Sequence, residues 1–268
     1  MSRNTPTNVN LSWYQTLKSQ EQPVLIYQMG KVGSSALEHS IPDSIHLHDL
    51  MTVDAQKQIS PVRAQLHKPQ INALKRRLKR ITMSRMLKRK KKSSNYLAGA
   101  TDRTKCLNVL SSTSFWMADK YLKDDSAIRT ERPQLLQEAF DKHMNHQYAL
   151  QWFDNEIKQL TGIDVFNESF NHEVGYQTYH NNNFSLLVIR SDKLTKANSA
   201  VEDFLGYPVD VVYENQSDNK WYSPLMKEFK TQFQPTPEYV EEMLNSKLTK
   251  HFFSNTEITD LKQQYLTN

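Results

Sequence analysis

Apolar and polar positions change in blocks along the chain, and the blocks predict alternating strands and helices. Val24, Leu25, Ile26 and Tyr27 predict a first strand over 24–28. That run meets the turn Gly30-Lys31-Val32-Gly33-Ser34-Ser35, and a helix-compatible stretch over 34–40 follows, ending near Pro42. Ile45, His46, Leu47 and His48 alternate apolar and imidazole side chains, which predicts a short second strand with both imidazoles on one face. From Pro61 the chain reads as helical. Leu66, Ile71, Leu74, Leu78 and Ile81 recur mostly at three- or four-residue steps and mark an apolar face. Polar residues over 93–103 predict a loop, 106–110 a buried strand and 115–122 the helix behind it.

The second half continues the alternation. Helices are expected over 133–145 and 150–160, with Gly162 stopping the latter. Residues 176–179 and 184–189 predict a hairpin around Asn181-Asn182-Asn183. A helix over 197–205 closes at Gly206, and 209–213 reads as strand. Residues 224–233 are helical, Pro235 and Pro237 break the chain, and one last polar helix is expected over 238–250. Residues 1–22 form a polar lead-in. This order argues for an α/β core with a mostly parallel sheet.

Charge changes the picture more than size does. The 31.3 kDa chain carries a formal net charge of +5. From Lys75 to Lys92, however, there are eleven Lys or Arg and no Asp or Glu. The remainder is therefore net acidic, an acidic body with one basic segment, which argues against a nucleic-acid binder. A basic face opposite Leu74, Leu78 and Ile81 suits an anionic membrane surface or the guidance of an anionic glycan acceptor. Cys106 stands alone, so neither a disulfide framework nor a cysteine-rich metal site is expected. The polar N-terminus has no signal-peptide core, and no apolar run reaches spanning length. The expected location is cytoplasmic, with peripheral attachment at the inner face of the membrane.

The turn at 30–35 carries the chemistry. Gly30 and Gly33 let a backbone approach an anion closely, Lys31 supplies a full charge, and the first amides of a helix lack partners. Val32, Ser34 and Ser35 complete the candidate phosphate cradle. Lys31 precedes Gly33 and no glycine lies upstream of Gly30, so the nucleoside-triphosphatase spacing is absent, as is the three-glycine dinucleotide fingerprint. The order Lys-x-Gly-Ser-Ser instead resembles the 5′-phosphosulfate loop of sulfotransferases. That resemblance implies 3′-phosphoadenosine-5′-phosphosulfate as co-substrate, no metal, and Lys31 beside the bridging oxygen.

Asn219-Lys220-Trp221-Tyr222-Ser223 matches the signature of a bacterial family named for capsular polysaccharide synthesis, itself related to sulfotransferases. Trp152-Phe153-Asp154-Asn155-Glu156-Ile157, Thr161-Gly162-Ile163-Asp164-Val165-Phe166, and the stretch from Leu186 to Leu194 with Phe204-Leu205-Gly206 resemble the same family, in order, over roughly 22–230. The implied fold is P-loop-type: three layers, with a mostly parallel central sheet flanked by helices. Residues 23–234 would form it, with a basic helical insertion over 61–104 and a C-terminal helical tail over 235–268.

Sulfuryl transfer needs a donor loop, a cation for the leaving phosphate and a base for the acceptor hydroxyl. The His-x-His pattern after the first helix resembles the uronyl 2-O-sulfotransferases, which implies His48, or else His46, as that base. Trp152, Phe153, Trp221 and Tyr222 fit core packing better than sugar stacking, and Asp154 and Glu156 fit structural charges. The family's 3′-phosphate Arg and Ser correspond here to Ser111 and Asp119. Ser111, Ser112 and Thr113 retain only neutral donors, Asp119 would repel phosphate, and Lys220 is the candidate replacement cation. Arg190 with Ser199 is a disfavoured alternative. The expected function is sulfuryl transfer to a carbohydrate hydroxyl. A non-catalytic scaffold of the same fold and a nucleotide kinase are the rivals.

Overall fold

The computed structural model describes residues 12–20, 22–29, 34–52, 70–89, 94–100, 137, 146–211 and 231–266. Five strands, β1 (Val24–Tyr27), β2 (Ile45–Leu47), β3 (Ser94–Ala100), β4 (Tyr176–His180) and β5 (Phe184–Arg190), join in one sheet of order β2-β1-β3-β5-β4. All neighbours run parallel except β4, which pairs antiparallel with β5 through a hairpin. At the hairpin turn Asn181 Oδ1 accepts from the amides of Asn183 and Phe184, the short-range bonding that favours Asn there.

The pleat divides the apolar residues between two cores. Leu25, Tyr27, Leu186 and Val188 face one layer, with Leu17 of α1 (Ser12–Ser19), Met83 and Leu87 of α3 (Gln70–Arg89), and Trp152, Phe153, Ile157 and Leu160. Ile26, Leu187 and Ile189 face the other layer, with Leu37 of α2 (Ser34–Ser40) and Val201 of α5 (Asn198–Leu205). Residues between these two strands alternate sides because successive Cβ atoms point to opposite faces.

Helix α4 comprises Gln147–Trp152, a wider π-type segment Phe153–Lys158, and Gln159–Thr161. It ends at Gly162, whose φ of 80° is the left-handed stop expected of a glycine. Gly206, at φ 79°, ends α5 in the same way.

Four expectations need correction. The loop predicted over 93–103 contains β3, hydrogen-bonded to β1 on one side and β5 on the other. Ladder partners on both edges, rather than the weak β-propensity of Ser94, Asn95, Ala98, Gly99 and Ala100, select that conformation. Val209 and Val211 are buried, but 209–211 is not a strand; the Val209 amide bonds the Glu202 side chain instead. The single helix expected over 238–250 is broken. Ser246 separates α6 (Pro237–Asn245) from α7 (Lys247–Phe252) and caps the latter by accepting from the Thr249 amide, and α8 (Asn255–Leu266) follows. Finally, Leu78 is 55% exposed, while Met83 and Leu87 dock α3. The strands and helices expected over 106–110, 115–122 and 224–230 lie outside the described residues.

Candidate functional site

Gln28 follows β1, and His46 and His48 lie in and just past β2, so all three sit at the carboxyl ends of parallel neighbours. Ile26 pairs with His46 across the ladder. By the two-residue period, Gln28, His46 and His48 share the α2 side of the sheet. There the buried Gln28 amide nitrogen lies 2.9 Å from His46 Nε2 and 3.0 Å from His48 Nδ1. Glu38, one helical turn past Ser34 and Ser35, reaches His46 Nδ1 at 2.7 Å. The two imidazole rings meet edge to face with centroids 4.6 Å apart. His48 Nδ1 also lies 3.4 Å from its neighbour's main-chain oxygen, that of Gln28.

A second set of bonds, on the opposite face, fixes the segment that carries His48. Tyr27 points away from Gln28 into the larger core, where its hydroxyl bonds the buried Glu156 carboxylate. The same carboxylate accepts the amides of Leu50 at 2.8 Å, Met51 at 2.7 Å and Thr52 at 2.6 Å. One turn earlier on α4, Trp152 donates its indole N–H to the His48 carbonyl at 3.1 Å. Arg80 of α3 donates to the Met51 carbonyl at 3.0 Å. Every main-chain polar group so engaged is removed from competition with water. Burial first, and then the charge and hydrogen bond of Glu156, push the Tyr27 hydroxyl well above its usual value. Burial also drives the Tyr148 hydroxyl upward.

The remaining candidates divide. Ser34 and Ser35 open α2, while Gly30, Lys31, Val32, Gly33, Ser111, Asp119 and Lys220 lie outside the described residues. Arg190 is committed elsewhere: it is only 3% exposed, bonds both Asp192 and Glu257, and stacks on Phe253. Trp152, Phe153 and Glu156 are core residues. In the basic run, Arg80 is spent on Met51, and Lys79 lies over the Trp13 ring, where burial lowers its ammonium below the usual value. No group of three potential metal ligands occurs among the described residues, and none of their helices is long and apolar enough to cross a membrane.

Sequence reasoning missed Gln28 and Glu38. A polar side chain closing an apolar strand, and a carboxylate one turn into the next helix, were the available signals. The Trp152-to-Glu156 spacing, four residues on one helix face, was the signal for the clamp.

The family described as "Putative capsular polysaccharide synthesis protein" matches residues 125–254, just under half of the chain. That span includes the Asn-Lys-Trp-Tyr-Ser peptide as well as Trp152 and Glu156. The clamp therefore ties the part of the chain similar to this family to the strand pair bearing the imidazoles. No curated protein and no solved structure matches the chain.

Proposed function

We propose that this chain is a sulfotransferase-like enzyme of P-loop type that moves a sulfuryl group from 3′-phosphoadenosine-5′-phosphosulfate to a carbohydrate hydroxyl during surface polysaccharide synthesis. The observation that carries the reading is the His46–Gln28–His48 cluster. It occupies the carboxyl ends of two parallel strands, the side on which open α/β sheets take ligands, and Gln28 stands two positions before the lysine-bearing sequence 30–33. The name of the family similar to residues 125–254 supports a polysaccharide pathway.

In this reading the turn over 30–35 grips the 5′-phosphosulfate. The acceptor oxygen forms a bond to sulfur as the bond from sulfur to the bridging phosphate oxygen breaks. His48 takes the acceptor proton, and Lys31 balances the charge gathering on the departing phosphate. Lys220, aided by Ser111, would meet the 3′-phosphate.

Calorimetric titration of the full chain with 3′-phosphoadenosine-5′-phosphate, beside ATP with magnesium, tests the reading. Binding of the first, lost in Lys31→Ala, is the expected result. Preference for ATP would make the protein a kinase. Binding of neither would leave a scaffold, the outcome that Asp119 favours.

A further inference from the structure

Helix α3 is anchored from one side. Met83 and Leu87 are buried in the larger core, Met86 packs against it, and Arg80 donates to the Met51 carbonyl. Lys79, beside Arg80, lies over the Trp13 ring of α1. Leu78, Thr82 and Arg85, three and four positions apart, form a row on the other side and are exposed, Leu78 at 55%. The helical period extends that row to the Lys75 and Arg89 positions, and the adjoining row contains positions Leu74, Ile81 and Lys88. Over its whole length α3 has eight Lys or Arg and no Asp or Glu. Apolar and basic positions are therefore mixed on the side that the core leaves unused.

Three kinds of polyanion answer such a charge, and the apolar positions separate them. A nucleic acid or an anionic glycan offers phosphates, sulfates or carboxylates to the cations but gains nothing from an exposed leucine. Nor does the sequence of α3 include an aromatic residue on which a base could stack. An anionic bilayer receives both kinds of residue: its headgroups meet Lys and Arg, and the edge of its acyl region takes aliphatic side chains. Charge elsewhere in the chain adds direction. Outside the basic segment the sequence is net acidic, so the same surface repels the body of the protein.

We propose that the outward side of α3 docks this protein on an anionic phospholipid surface. Leu78 enters the boundary of the acyl region and Arg85 meets the headgroups. Arg80, on the inner side of the helix, ties the docked element to Met51, three residues past His48. The inference concerns where the protein works, and it holds whether or not residues 30–35 take a sulfated coenzyme.

Co-sedimentation of the full chain with vesicles tests it. One set is phosphatidylcholine with one-third phosphatidylglycerol, the other phosphatidylcholine alone. The expected result is binding to the first set at about 0.1 M salt, roughly ten-fold weaker on the second, and weakened at about 0.5 M. Arg85→Glu should reduce binding about ten-fold and Leu78→Ser about three-fold, with circular dichroism unchanged because both positions are exposed. Lys196→Glu makes the same charge change at an exposed residue between Leu194 and Ala197, on the smaller core's side of the sheet, and should leave binding unchanged. No binding to the anionic vesicles overturns the proposal. Equal losses in Arg85→Glu and Lys196→Glu also overturn it, because the attraction would then follow net charge and not this helix. Heparin and duplex RNA are the competing polyanions: tighter binding to either than to the anionic vesicles, unaffected by Leu78→Ser, overturns the lipid assignment.

Discussion

Tyr27 and Gln28 are consecutive residues at the end of β1 and face opposite sides of the sheet, each ending in a polar cluster that holds part of the segment over 46–52. Tyr27 meets Glu156 below, and Gln28 meets the imidazoles above. A strand end that fixes both sides of its neighbour's continuation leaves His48 little freedom to wander, which is what the proton-transfer role proposed for it requires.

Glu156 is the keystone of the lower cluster. Replacing it with Ala removes the acceptor of the half-buried Met51 and Thr52 amides and of the Tyr27 hydroxyl, leaves the buried Leu50 amide only its 3.2 Å bond to the Tyr27 oxygen, and should cost about 3–5 kcal/mol. Glu156→Gln keeps one acceptor oxygen but sets an amide N–H against the 50–52 amides, so about 1–3 kcal/mol is expected. Urea unfolding followed by circular dichroism checks both. Equal midpoints for wild type and Glu156→Ala would show that the clamp contributes nothing.

Trp152→Phe removes the hydrogen bond to the His48 carbonyl and part of a buried ring, so a cost of about 1–3 kcal/mol is expected. Its more specific sign is local. The His48 nitrogen resonances should shift while those of His172, which is bonded to the His251 carbonyl, stay in place. Identical His48 spectra would mean that the indole does not position that residue.

Gly175 and Gly206 have nearly the same positive φ, 74° and 79°, yet their surroundings differ. A Cβ on Gly175 would overlap Lys193 Cγ and lie 3.0 Å from its Cβ, whereas at Gly206 it would meet nothing within 4 Å. Gly206→Ala should therefore cost only the conformational strain, about 1 kcal/mol, and Gly175→Ala about 2–3 kcal/mol once the overlap is added. Thermal unfolding of the two variants side by side should place Gly175→Ala lower; the reverse order would refute the packing argument.

What could be read from the sequence followed how local its cause was. The hairpin around Asn181, the stops at Gly162 and Gly206, and the short His-bearing strand were legible because turn chemistry and two-residue alternation act over a few positions. β3 was not: Ser94, Asn95, Ala98 and Gly99 carry little strand preference, and pairing with β1 and β5 decides their conformation from far along the chain. The imidazoles were legible as a pattern. Their hydrogen-bond partners were not, because Gln28 and Glu38 become neighbours of His46 only once α2 returns the chain beside β1. Glu156 was legible as a structural charge, but the three amides it serves lie more than a hundred positions away.

The Arg190 clamp yields the last prediction, in acid. Arg190 closes β5, bonds Glu257 through both terminal nitrogens, and donates to the Phe252 carbonyl, so it fastens α7 and α8 to the sheet. Burial pushes the Glu257 carboxyl up, but the guanidinium, together with the Ser254 amide and hydroxyl, outweighs it and holds the group down at about 2, from an ordinary value of 4.5. A carboxyl with a depressed folded value stabilises the protein above its unfolded value, and that contribution fades as pH falls from about 5 toward 2. Because Glu257 is about one-third exposed, solvent screening reduces the effect. Glu257→Gln should thus cost only about 1 kcal/mol at pH 7, and the gap to wild type should close as pH approaches 2. Arg190→Met leaves Asp192 and Glu257 without their cation and should cost about 3 kcal/mol at pH 7, less in acid as the Glu257 carboxyl takes up a proton. Urea midpoints for the three proteins at pH 7, 4 and 2.5 decide the matter. A Glu257→Gln gap that stays constant across that range would mean the clamp is held by packing on Phe253 and not by charge.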